Sequence, residues 1–392
     1  MPKRTSLEIC ESPYPYKSKA LRMNKSYTTP SFKSSTILTD DVFTYIEFYF
    51  SSHKKAMKYR NSTSKAKYGS EKKYHYLFYW KQAMTFYCAA KALPIESVPL
   101  LSYYSMLNAT KAFLAFKCEY IEDFVGHFGN HGLFEDSNLA GIDLNTIAVG
   151  RKNKGVYPLF GKTLEVNFDT IWESGKHNTF TLKKLLYNLA YIHRAYITTY
   201  NTTQGVKVPE LFIPLVSGKS PCYHKGNDAN LYLMVDIDKS YFSTIATLIP
   251  AAYTSSISQR FEVSNRNNFV LRSSDGAKRH GSESLSSDFK TMNDELRREF
   301  QYIRSSKRLW YLRRTALASS DIINMNSMLI TMAAMHRISE IVRYKPEQLA
   351  HLMASKENWL IHEFLTLALD QFVDEIAAEI TGQDIMGTGT KA

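Results

Sequence analysis

The chain has 392 residues, 44% of them apolar, and a formal charge of +12. That length suits two domains or one large one, and the apolar content is ordinary for a globular protein. No run of eighteen apolar residues occurs and no apolar stretch follows Met1-Pro2-Lys3-Arg4, so neither a membrane span nor a signal peptide is expected.

Residues 1–70 read as a basic, aromatic-rich arm. The first eighty residues hold 15 Lys or Arg against 6 Asp or Glu, a net +9. Such an end points to an anionic partner, RNA or DNA, or to an acidic surface on the same chain or a second copy. Residues 1–38 lack periodicity, so an irregular arm ordered by packing its tyrosines is expected. Asp40 and Asp41 suit a helix start before the run Phe43, Tyr45, Phe48, Tyr49 and Phe50. Residues 51–73 read as a loop.

A first helical half is expected over 71–143. Tyr79, Gln82, Phe86 and Ala89 follow helical steps from Tyr74 to Leu93, and Pro94 closes that helix. The next begins near Val98. Tyr103, Leu107 and Leu114 mark its apolar rows, and Ala109, Ala112 and Ala115 let a neighbour approach closely, so it belongs inside a bundle. Asn108 and Lys111 interrupt it. Either Asn108 bonds a backbone group and Lys111 reaches water, or both join a polar pocket with His131. Gly126, Gly129 and Gly132 predict a turn around His127 and His131, with His131 as its hydrogen-bonding residue.

Residues 144–275 predict a mixed α/β insertion. Strands are expected at 146–149, 156–159, 164–166, 211–216, 230–236, 259–263 and 268–271, with a helix at 181–199 and a hairpin turn at Asn265–Asn268. Asp236 and Asp238 share a strand face, but Asp238 is more simply a helix-start residue. Gly218-Lys219-Ser220 lacks the earlier glycine of a phosphate-binding loop and carries Pro221, so that motif is rejected. The segment 276–318 reads as a basic linker and helix, with 274–286 as a mobile loop. Here Arg308, Trp310, Arg313 and Arg314 could grip a phosphate backbone and stack a base. The competing reading is a solvated helix face, with Glu295 and Glu299 pairing the bases.

The second helical half, 319–385, opens with a Met-rich helix from Ile322 to Tyr344, whose methionines read as core. Pro346 ends it. A final helix, Glu357–Ile380, should pack Trp359, Phe364, Leu367 and Phe372. Residues 345–392 hold 3 basic and 8 acidic side chains, a net −5. Gly382–Ala392 reads as a disordered tail, with 386–392 outside the core. The fold class is therefore α+β, a mainly helical bundle interrupted by a mixed α/β insertion.

Particular residues carry a resemblance. Pro99-Leu100-Leu101, Tyr103-Tyr104, Leu107-Asn108, Lys111-Ala112, His131-Gly132-Leu133 and Arg343-Tyr344-Lys345-Pro346-Glu347 resemble the YaaC-like protein family over roughly 70–140 and 320–385. More distantly, the Tyr-Tyr helix is similar to one in HEPN domains. That likeness implies a HEPN-like helical core, RNase activity in many members, and a role in stress or phage defence. The HEPN Arg-x(4–6)-His motif is absent: Arg343 and His351 are separated by seven residues that include Pro346, and Arg272 and His280 by the same gap.

No complete catalytic motif is legible. If the chain is an RNA-acting enzyme, Arg343 would contact phosphate and His131 or His351 would move the proton. Otherwise it is a non-enzymatic interaction or assembly subunit with a protein partner or a second copy, and Asn108, Lys111, His131 and Arg343 tie the helical halves together. Cys10, Cys88, Cys118 and Cys222 form no Cys-x-x-Cys pair and read as free thiols of a reducing cytoplasm. No metal and no cofactor is expected.

Overall fold

The computed structural model describes residues 7–32, 36–52, 71–117, 127–168, 171, 179–201, 205, 207–242, 256–264, 269–278 and 285–388. Cys118, the hairpin turn at 265–268, residues 53–70 of the expected loop at 51–73 and residues 279–284 of that at 274–286 lie outside them. The fold is mixed α+β. Its helices are α1 (Val42–Ser52), α2 (Glu71–Lys91), α3 (Val98–Lys117), α4 (Val156–Thr163), α5 (Leu182–Tyr187), α6 (His193–Tyr200), α7 (Ser287–Arg297), α8 (Ser327–Tyr344), α9 (Pro346–Ala354) and α10 (Asn358–Thr381). The chain divides into two compact units. A helical unit takes 39–209 and 321–381, and a sheet-forming unit takes 1–38, 210–320 and 382–392. The expected insertion 144–275 is thus shared: its first part belongs to the helical unit.

In the helical unit α3 is central, packing on α2, α4, α8 and α10. Its small residues explain why. Ala109, Ala112 and Ala115 are fully buried, and Ser105 Oγ donates to Ala83 O of α2 at 2.8 Å. Pro99 sits in the first turn, where its missing N–H costs nothing. Trp80 of α2 is buried and donates Nε1 to Phe43 O of α1 at 3.0 Å. The methionine stripe of α8 is core: Met328, Met332 and Met335 are buried. Asn326 caps that helix by accepting from Leu329 N, and Pro346 starts α9 where α8 stops. Phe364 and Phe372 of α10 pack inward, but Trp359 is 49% exposed, its indole donating to Glu363 on its own helix. The expected helix at 181–199 is broken into α5, a short 3-10 turn and α6.

A three-stranded antiparallel sheet (133–140, 147–151, 179–181) completes this unit. Residues 156–159, read as a strand, form the start of α4, and 164–166 form no strand. Four apolar residues carry no period, so strand and helix are indistinguishable there. What decides is Gly155, whose φ of 134° turns the chain into α4 with Pro158 in its first turns.

The sheet-forming unit holds an antiparallel sheet in the order 261–263, 270–273, 231–236, 222–225, and a second antiparallel sheet of 300–303, 309–313 and 212–214. The basic segment is therefore α7 plus a β-hairpin, where a helix was expected across it. Tyr14, Tyr16, Leu21 and Met23 of the arm enter this core with Ile213, Leu233, Phe289 and Trp310, so this part of the arm packs by its tyrosines, as expected. The first residues of the expected tail are ordered: Ile385–Met386 pairs in parallel with Ile37–Leu38. Asp238 does what a turn-start carboxylate does, accepting from Ser240 N at 2.9 Å, while Asp236 pairs with Lys219. Cys10, Cys88 and Cys222 are free thiols. Among the described residues, no helix is long and apolar enough to cross a membrane.

Candidate functional site

Three aromatic rings meet where α3 packs on α8 and the turn before residue 133 comes over them. The Tyr103 ring lies 4.9 Å from His336 and 5.4 Å from His131, and the two imidazoles are 5.7 Å apart, edge to face. Tyr103 and His336 are buried, 0% and 2% exposed, and His131 is half-buried against them. Tyr103 Oη and His336 Nδ1 are both buried without a hydrogen-bond partner in the protein. The nearest carboxylate oxygen to Nδ1 is Glu340 Oε2 at 3.7 Å, too long for a hydrogen bond. Two orphaned polar atoms in contacting rings are uncommon, because each gives up its water without compensation.

Cations stand around these rings. Burial first, and then Lys111, Arg343 and Lys152, hold the His131 imidazole below its ordinary range. Burial, with His131, Arg343, Arg337 and Lys152, pushes His336 down to about 3. Burial raises the Tyr103 phenol well above its usual value, with Glu340 adding to the effect. Lys111 is half-buried, its amine 5.5 Å from the Tyr79 ring and 5.7 Å from Phe128, and burial lowers its pKa. Arg343 donates Nε to Ser339 O at 3.4 Å; its terminal nitrogens have no hydrogen-bond partner among the described residues. The neighbouring acids, Glu135 and Glu340, are both engaged by Arg337. Burial opposes ionisation of Glu135, but Lys345 at 2.6 Å and Arg337 outweigh it and its pKa is lowered. Burial raises Glu340.

The site therefore presents neutral rings carrying unpaired polar atoms in a field of positive charge. That arrangement attracts a negatively charged, hydrogen-bonding group.

The structure brings together His131, Lys111 and Arg343 of the residues read from sequence. Asn108 donates to Tyr104 O of its own helix at 2.8 Å, the backbone bond of the simpler reading. The hydrogen bond that fixes the glycine turn belongs to His127, whose Nδ1 accepts from Gly155 N at 3.0 Å. His351 is exposed on α9, with no hydrogen bond or ion pair among the described residues. Sequence reasoning missed His336 and read Tyr103 as a packing residue of its helix, not as part of a site. The signal was available: His336 and Arg343 are seven residues apart on α8, which is one helix face.

The basic and aromatic segment lies elsewhere, in the sheet-forming unit, and is buried. Trp310 is 2% exposed and packs edge-on against Tyr302. Arg314 donates to Ser256 Oγ and Glu210 O. Arg313 lies buried beside Glu299, and burial lowers its pKa. Arg308 is also buried. Trp310, Arg313 and Arg314 are thus displayed neither for stacking a base nor for gripping a phosphate.

Buried neutral imidazoles make acid the enemy of the helical unit. His193 is likewise pushed down to about 3, by burial and then Arg194. With folded-state values below the ordinary 6.5, the unfolded chain binds more protons below that pH. The stability these groups allow is complete above pH 6.5 and is lost as pH falls toward about 3. The expected slope is on the order of 1.4 kcal/mol per pH unit for each such group. Glu340, raised by burial, acts in the opposite sense at its own titration. Urea unfolding from pH 7 to 4 should show the loss, and His336→Gln should flatten it; an unchanged slope in that variant would refute the assignment.

The model of the family described as YaaC-like Protein matches residues 41–380. The chain belongs to that family. The match takes in both helical blocks and the segments between them. No curated protein and no solved structure matches the chain.

Proposed function

We propose that this member of the YaaC-like family binds single-stranded nucleic acid through its helical unit, without cleaving it. The observation that carries the reading is the pair of orphaned atoms, Tyr103 Oη and His336 Nδ1, under a cationic rim of Lys111, Lys152 and Arg343. A backbone phosphate supplies the acceptors and the negative charge that these rings and this rim lack. Beside the rim, Tyr344 is 71% exposed with the Arg343 guanidinium 5.0 Å from its ring. An exposed ring next to a phosphate-binding arginine is a stacking platform for a base. In this reading α3 and α8 are the HEPN-like part of the core.

The test is fluorescence anisotropy of labelled single-stranded RNA and DNA against salt. Affinity should fall steeply as salt rises. Arg343→Ala should weaken binding about 10- to 100-fold, roughly 1–3 kcal/mol, and leave the melting temperature near wild type. Absence of binding at low salt, or unchanged affinity in a folded Arg343→Ala protein, would refute the proposal.

A second reading, ribonuclease action, draws on the paired imidazoles. A neutral histidine beside a bound phosphodiester is a competent general base. Shortened RNA in the same assay, lost in His131→Ala, would favour cleavage over binding.

A further inference from the structure

We infer that the sheet-forming unit carries a separate anion site, built around Arg308, for the phosphate group of a nucleotide-sized molecule. A cavity of about 450 Å³ is lined by Lys19, Arg22, Asn24, Ser31, Arg308 and Asp384, among others. Arg308 is 7% exposed. Its terminal nitrogens reach only hydroxyls, Ser220 Oγ at 3.4 Å and Thr36 Oγ1 at 3.2 Å. Its Nε is buried with no partner, and it forms no ion pair among the described residues. A buried guanidinium without a counter-charge is costly. Here it stands at the wall of a cavity that also holds Lys19 and the exposed Arg22.

The cavity's carboxylate does not fill the role. Asp384 Oδ1 already accepts from Lys25 N at 3.0 Å, and three cations against one acid leave the lining positive. A phosphate matches the planar fork of an arginine. The volume lies in the range of small-molecule sites. The partly buried Phe32 on the same wall packs edge-on against Phe289 and gives the rest of the ligand an apolar surface. This site shares no residue with the Tyr103–His336 cluster and stands whether or not the helical unit binds nucleic acid.

The experiment is thermal unfolding of the full chain titrated with inorganic phosphate and, separately, with adenosine monophosphate. Both should raise the melting temperature, the nucleotide at lower concentration. Arg22→Ala removes an exposed side chain and should fold normally while shifting both dose responses at least tenfold. Arg308→Lys keeps the charge, loses the fork and should shift them similarly. Arg343→Ala, in the other unit, should leave the Arg22- and Arg308-dependent part of both responses in place. A response to phosphate with none to the nucleotide would overturn the nucleotide-sized ligand, leaving a site for free phosphate. No response to either at millimolar concentration, or equal responses in wild type and Arg22→Ala, would overturn the site.

Discussion

Arg297→Leu is expected to destabilise the sheet-forming unit by about 3–5 kcal/mol, the range for stripping one side from a buried polar cluster. Arg297 is 1% exposed. Its Nε and Nη2 donate to Lys25 O at 3.2 and 2.6 Å, Nε also to Asn24 O at 3.0 Å, and Nη1 to Phe300 O at 2.8 Å. The guanidinium lies 3.8 Å from the Tyr27 ring and 5.0 Å from that of Trp310. Leucine takes the guanidinium donors from three carbonyl oxygens, a loss of about 1–3 kcal/mol for each that finds no substitute, and its own hydrophobic gain offsets only part of that. Lysine is no remedy, because one ammonium cannot reproduce the fork. The measurement is the urea midpoint, together with hydrogen exchange of the 300–303 and 309–313 strands. A loss under about 1 kcal/mol would mean that water reaches the carbonyls and that the arginine is not what joins the arm to this sheet.

Arg297 also shows what a sequence conceals. Its type and neighbours announce a basic surface. Its burial is decided by carbonyls at positions 24 and 25, more than 270 residues away. Trp310 and Arg314 were misleading for the same reason. Where the deciding information is local, the sequence is legible. Pro94 and Pro99 bracket α2 and α3, alanines at helical steps make α3 central, and Pro346 separates α8 from α9. At 156–159 the local information was present but weak, and a glycine with positive φ chose the helix. The candidate site divides along the same line. Lys111, His131 and Arg343 could be named because polar residues on apolar elements stand out. His336 could not, since it lies among methionines on a helix whose pattern already had a sufficient explanation as core.

Tyr103→Phe is expected to move stability and binding in opposite directions. The phenol ring is wholly buried and packs on both imidazoles, and phenylalanine keeps that packing. What disappears is a hydroxyl without a partner. Deleting a desolvated, unsatisfied donor should be neutral or stabilise the free protein by about 1 kcal/mol. If that hydroxyl exists to meet a phosphate, the same change should weaken nucleic-acid binding about tenfold, near 1.4 kcal/mol. A hydroxyl kept for structure gives the reverse: a lower melting temperature and unchanged affinity. Thermal unfolding and anisotropy on one preparation therefore separate the two accounts, and a protein less stable yet binding normally would sink the functional one. The opposed signs follow from one physical fact. A polar atom held dry and unpaired is a standing cost to the fold, and such costs persist in functional sites because the ligand's hydrogen bonds offset them on binding.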